Sequence, residues 1–115
     1  LHLSLRRQRQ MCIRDRELVA RLSGHPKITK VRYPGFGAVI SFEVDGTADD
    51  AEKVCESSKL ITHATSLGGI ESLWERRRRW ALESLSVPEQ LIRLSVGCEH
   101  VDDLWADIQQ ALTAL

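Results

Sequence analysis

The strongest constraint in this chain is a pair of short segments in which apolar and polar residues alternate. In the first, Ala38, Ile40, Phe42 and Val44 fall on one face and Val39, Ser41 and Glu43 on the other. In the second, Ile92, Leu94 and Val96 oppose Arg93 and Ser95. A period of two is the signature of a strand with one face against a core and one face turned away from it. Each needs a partner for its apolar face, and the sequence supplies two amphipathic helices. Thr47 is a good N-cap, Asp49 and Asp50 follow in a first turn where the helix dipole favours acids, and Ala48, Ala51, Val54 and Cys55 form an apolar stripe. Near the C-terminus, Val101, Leu104, Trp105, Ile108 and Leu112 share one helical face, with Asp102 and Asp103 in the first turn. The expected fold class is α+β: a small antiparallel or mixed sheet with helices on one face.

Weaker signals fill in the rest. Residues 17–23 read as the last turns of a helix stopped by Gly24, with His25 and Pro26 opening a loop. Ile28 to Tyr33 alternates, and Pro34, Gly35, Phe36 and Gly37 are turn chemistry. Leu60 to Ala64 is a short strand candidate, followed by a tight polar turn over residues 65–69. Residues 70–84 stay open between helix and irregular edge structure, and Val87 and Pro88 punctuate.

A length of 115 residues suits one domain with a modest core. Sixteen basic residues balance sixteen acidic ones, so charge gives no reason to expect nucleic acid or an anionic membrane as partner. No apolar run approaches the roughly twenty residues of a membrane span. Cys12, Cys55 and Cys98 are too far apart for a metal pair or an obvious disulfide framework, so a reducing cytoplasm is the default compartment. The first sixteen residues differ from the rest: Arg6, Arg7, Arg9, Arg14 and Arg16 crowd a stretch without a sustained apolar period. The run Met11 to Arg16 also resembles the translation of a sequencing adapter. Residues 1–16 are therefore expected to be a non-native or disordered segment, and residues 17–115 the domain proper.

Arg93 is the first candidate for chemistry. It sits mid-strand, opposite the apolar face, where its planar fork of donors could be held rigidly for a carboxylate. The plainer reading is a strand arginine facing solvent or paired with a surface acid. The turn Ser66, Leu67, Gly68 and Gly69 combines a hydroxyl with glycines that let a ligand approach the backbone, or it is an ordinary loop. Arg76 to Arg79 lie between Trp74 and Trp80, a pattern that can bind single strands, but nearby Glu71, Glu75 and Glu83 favour a solvated face. His63 has no ligand partner at metal spacing, His25 and His100 read as loop or cap residues, and Cys55 reads as core.

Three stretches then combine. The first is His25, Pro26 and Val31 to Gly35, with the strand through Ser41 and Phe42; the second is His63 to Leu73. The third is Val87 and Pro88, Leu91 to Gly97, Glu99 and Val101 to Leu104. Together they resemble the C-terminal domain of the trans-sulfuration family of pyridoxal-phosphate (PLP) enzymes, such as cystathionine γ-synthase and γ-lyase. The resemblance implies the small domain of fold-type I PLP enzymes and a substrate that is an amino acid altered at its γ-substituent. It implies that Arg93 holds the substrate α-carboxylate, that Ser66 lies near substrate and cofactor, and that Leu67 and Gly68 shape the same wall. It also implies that the Schiff-base lysine lies in a larger, missing domain, since Lys27, Lys30, Lys53 and Lys59 are not in the family's lysine context. No residue of this chain is then catalytic and no metal is expected. The fragment alone is expected to be inactive and marginally stable, and its parent a homotetramer. Thr65 stands where some members carry Glu, which leaves synthase, lyase or another elimination open. The competing expectation is a standalone, non-catalytic module that binds amino acids.

Overall fold

The structure is a computed structural model; it describes residues 2–35, 37–65, 70–79 and 86–115, residues 2–12 by their backbone alone. Among these residues the order is α1 (His2–Ser23), β1 (Ile28–Arg32), β2 (Val39–Val44), α2 (Ala48–Glu56), β3 (Thr62–His63), β4 (Leu73–Arg76), a 3-10 turn (Arg77–Arg79), β5 (Leu91–Ser95) and α3 (Val101–Leu112). The strands form one mixed sheet in the order β1-β2-β5-β4-β3, antiparallel except for the β3–β4 pair. This is the α+β class that the two alternating segments predict.

Alternation sets the sheet's two faces. Ile40, Phe42 and Val44 of β2, and Ile92 and Leu94 of β5, are buried in one cluster with Leu18 and Leu22 of α1, Ala51, Val54 and Cys55 of α2, and Leu104 and Ile108 of α3. All three helices therefore cover the same face. The α2 start is a full capping box, in which Thr47 accepts from the Asp50 amide and the Asp50 carboxylate accepts from the Thr47 amide. α3 starts on His100, whose Nδ1 accepts from the Asp102 amide, so this histidine is the cap the sequence suggests. Trp105 lies at the rim of the apolar stripe, edge-on to His25 at 6.0 Å, and Asp107 takes a buried place instead. The β1–β2 turn needs positive φ at Gly35 (96°) and Gly37 (84°), which costs glycine little, and Tyr33 donates its hydroxyl hydrogen to the Gly37 carbonyl.

Two regions stand apart from the rest. The backbone of residues 2–16 continues α1 without a break, and residues 13–16 meet the rest of the fold. Arg14 donates to the Glu99 carbonyl, and Asp15 is buried beside it. Four-residue spacing and a helix already anchored by Leu18 and Leu22 are enough to extend it, without an apolar stripe of its own. Residues 70–84, open in sequence between helix and irregular edge structure, hold neither over residues 73–76 but an interior strand, since β4 lies between β5 and β3. Its Leu73, Trp74 and Glu75 are all buried, so both faces are covered and no period shows in the sequence. The Trp74 indole N–H donates to the Cys55 carbonyl and to Ser58 Oγ, which ties β4 to the end of α2. Residues 80–85 lie outside the described residues.

Asp107 joins the helical layer to the sheet edge. Its carboxylate accepts from the backbone amides of Lys59, Leu60 and Ile61 at 2.8, 2.9 and 2.8 Å, and from Gln110. The three amides lie at a helix-to-strand corner, where a buried backbone donor needs a partner. Burial pushes the Asp107 carboxyl up, but the backbone amides outweigh it and hold its pKa below the usual 3.8.

Candidate functional site

The sheet face away from the helices carries the polar half of each strand. Register places Ser41, Arg93 and Glu75 side by side across β2, β5 and β4, with Ser95 and Leu73 in the next row. Arg93 is thus opposite the apolar face, as its position in the alternation requires. Its Nη2 donates to Glu75 Oε1 at 3.0 Å and to the Thr65 carbonyl at 2.8 Å. The acid that pairs it is not a surface one, because only 1% of the Glu75 side chain is exposed. Arg77, from the turn after β4, donates to the same Glu75 Oε1 at 2.6 Å. A carboxylate so enclosed is tolerable only with such donors; removing a partner of a buried ion pair costs about 3–5 kcal/mol.

The arginine run is therefore not a solvated face. Arg76 reaches Glu52 at 2.9 Å and Glu89 at 3.2 Å, Arg77 reaches Glu75, and Arg78 reaches Glu89 at 2.9 Å and the Val87 carbonyl. Each of these three positive charges is held by a named acid of the fold, which accounts for a basic run in a chain of zero net charge. His63 lies 3.9 Å from Glu52 on the helical side, away from Arg93.

Ser66, Leu67 and Gly68 lie outside the described residues, but the chain on either side of them is tied to β5 and the residues after it. Thr65 is held by Arg93 before the loop. After it, Ser72 Oγ accepts from the Gly97 amide at 2.8 Å, and Glu99 accepts from both the Ser72 amide (3.0 Å) and the Ser72 hydroxyl (2.7 Å). The Cys98 amide donates to the Ile70 carbonyl. Gly97 lies so close to this return strand that a Cβ there would stand 2.4 Å from the Ile70 oxygen and 2.5 Å from the Glu71 carbonyl carbon. Burial pushes the Glu99 carboxyl up, yet the Ser72 amide and hydroxyl prevail and hold its pKa below 4.5. The second and third of the stretches that carry the resemblance are thus bonded to each other on both sides of residues 66–69. Sequence reasoning noted Ser72 and Glu99 only as parts of motifs. It missed Glu75, although an acid three residues from Ser72 and between two tryptophans was the available signal.

The sequence profile of the family described as "Cys/Met metabolism PLP-dependent enzyme" matches residues 1–113. An L-methionine gamma-lyase of Brevibacterium sandarakinum is 39% identical over 118 residues, covering 85% of this chain and 30% of that protein. A cystathionine gamma-synthase of Mycobacterium leprae is 38% identical over 112 residues, covering 79% of this chain and 29% of that protein. The crystal structure of metB from Corynebacterium glutamicum superposes with a TM-score of 0.82 at 36% identity, over 90% of this chain and 32% of that one. The fold and the joined motifs are those of the small domain of fold-type I PLP enzymes. This chain belongs to the Cys/Met metabolism family of PLP-dependent enzymes and spans about a third of the length of its relatives.

The family's cofactor is PLP, and the residues present do not fit its covalent attachment. Lys27 donates to the Leu112 and Leu115 carbonyls; Lys30 is exposed on the edge strand β1, two strands from Arg93; Lys53 and Lys59 are exposed in and just after α2. The Schiff-base lysine is thus absent from this chain. Among the described residues no His, Cys, Asp and Glu group could hold a metal ion, and no helix is long and apolar enough to cross a membrane.

Proposed function

We propose that this chain is the substrate-side, C-terminal part of an enzyme that acts on the γ-substituent of an amino acid, of the cystathionine γ-synthase or γ-lyase kind. In this reading residues 17–115 are the domain proper, and the rest of a homotetrameric, cytoplasmic parent brings the cofactor lysine. When bound, PLP draws electrons from the carbon that bears the amino group. The task of this chain is to hold the other end of the substrate. Arg93 receives the α-carboxylate, and the loop with Ser66, Leu67 and Gly68 walls the space beside it and the cofactor.

The observation that carries the reading is Arg93 itself. It is a rigid guanidinium on a central strand, steadied by a buried carboxylate and by the carbonyl of Thr65, the residue before Ser66. A solvated arginine needs no such support. The test is steady-state kinetics of the full-length enzyme that carries this chain, with methionine and cystathionine as substrates. Arg93→Lys keeps the charge and loses the planar fork, so KM rises at least tenfold while the melting temperature stays close to the parent's. An unchanged KM removes Arg93 from the site. The chain on its own, mixed with PLP, turns over neither substrate. Tight binding of free amino acids by the chain alone, without PLP, would instead favour a standalone binding module.

A further inference from the structure

We infer that Glu99 is a positioning residue for substrate binding: by gripping Ser72 it holds the start of β4 against the end of β5, and so fixes where Glu75 meets Arg93. The inference rests on Arg93 as the α-carboxylate site and goes beyond it, because Glu99 acts through Ser72 and β4 and not on the substrate.

Ser72 is the node. It is fully buried, and four hydrogen bonds tie it to three other residues. Its carbonyl accepts from the Thr62 amide of β3 at 2.9 Å. Its hydroxyl oxygen accepts from the Gly97 amide, just after β5, at 2.8 Å. Its own amide and hydroxyl both donate to the Glu99 carboxylate, at 3.0 and 2.7 Å. Gly97 thus bonds to a side chain, and the end of the β4–β5 pair depends on how firmly that side chain is held, since strand ends open more easily than strand centres. A carboxylate that takes both donors of one serine is a strong hold, because a charged acceptor strengthens each bond.

This clip lies close to the arginine. Ser72 is three residues before Glu75 and Gly97 four after Arg93. The rows between them, Leu73 with Ser95 and Trp74 with Leu94, run on without a break to Glu75 with Arg93. Arg93 Nη2 donates to Glu75 Oε1 at 3.0 Å, so a shift of β4 against β5 carries the guanidinium with it. A misplacement of about 1 Å in a substrate-holding group can cost about a hundredfold. The clip also makes one unit of two motifs, since Ser72 belongs to the second stretch of the resemblance and Gly97 and Glu99 to the third.

The test uses the full-length holoenzyme that carries this chain and two probes without a γ-leaving group, L-norvaline and L-norvalinamide, which differ only in the α-carboxylate. Dissociation constants are measured by calorimetry at a temperature where every variant is folded. Arg93→Lys is the control for the underlying reading: it must weaken norvaline and spare the amide, and if it does not, the carboxylate site is wrong and the role of Glu99 falls with it. Given that control, Glu99→Ala should weaken norvaline about tenfold and leave the amide within about twofold of the parent. Glu99→Gln, which still offers Ser72 one acceptor, should lie between the two. Ser72→Ala should match Glu99→Ala, and the double variant should be no weaker than either, because the pair acts as one unit. Asp107→Asn is the control for stability: it loosens the corner at Lys59 to Ile61 and should leave both probes unchanged. Unchanged norvaline binding in Glu99→Ala beside a weakened Arg93→Lys overturns this proposal alone. So do equal weakening of both probes, losses that add in the double variant, or an equal loss of norvaline in Asp107→Asn. If Glu99→Ala does not fold, Glu99→Gln decides: unchanged norvaline binding there, or equal weakening of both probes, overturns the proposal.

Discussion

The two faces of the sheet are made from the same strands and obey opposite rules. On the helical face Ile40, Phe42, Ile92 and Leu94 are fully buried and held by apolar area, and Trp74 adds two hydrogen bonds to its own burial. On the other face Ser41, Arg93 and Glu75 occupy the intervening positions, and each charge there is placed by a particular bond. The first face tolerates exchange of one apolar shape for another; the second tolerates almost no change of donor or charge. Stability and function should therefore separate along the alternation of residues within single strands.

The sharpest way to break this comparison is Trp74→Ala, which empties the largest buried side chain of the helical face and deletes its two hydrogen bonds. A loss of about 4 kcal/mol is expected in urea unfolding; a loss under half of that would mean the helical layer does not depend on β4. Next is Asp107→Ala, which strands three backbone amides at the end of α2 and should cost about 3 kcal/mol by the same measurement. Gly97→Ala tests the joint between the faces. Its Cβ would meet the backbone of residues 70–72 and not a movable side chain, so a loss of about 2 kcal/mol is expected in urea unfolding. A neutral result would mean that the loop's return is not anchored there. Arg93→Lys is the counterpart on the polar face, with a change of under about 1 kcal/mol in unfolding and the large rise in KM described above.

Acid sharpens the same contrast in the anchoring carboxylates. The folded pKa of Asp107 lies below 3.8 and that of Glu99 below 4.5, so both stabilise fully above those ordinary values, and the gain is lost as pH falls through the lower folded ones. Unfolding should steepen below about pH 4, and Asp107→Asn should flatten that slope. Asp15 is the opposite case. It is buried too, but there burial outweighs the neighbouring Arg14 guanidinium, and its pKa is raised above 3.8. It weighs against the fold at neutral pH and is relieved by acid, so Asp15→Asn should raise the melting temperature slightly at pH 7; a fall would show that its bond to Arg14 is worth more than its burial costs.

Much of this was legible in the residues. The alternation in β2 and β5, the Thr47 cap with its acidic first turn, the stripe of α3 and the place of Arg93 opposite the apolar face all follow from local periods, because one buried face writes itself into the sequence every second or every third to fourth residue. The family too was carried by short motifs. What the sequence could not convey is where both faces are buried or where a partner is distant. β4 has no period because Leu73, Trp74 and Glu75 are enclosed together, and its arginines look solvent-bound until Glu52 of α2 and Glu89 before β5 are brought to them and Glu75 of the strand itself turns out to be buried. Asp107 looks like one more polar position on a helix until three amides some 46 to 48 residues away point at it. Periodicity records which side of an element is dry; only the packed structure decides which charge meets which, since that is a matter of distance in space and not along the chain.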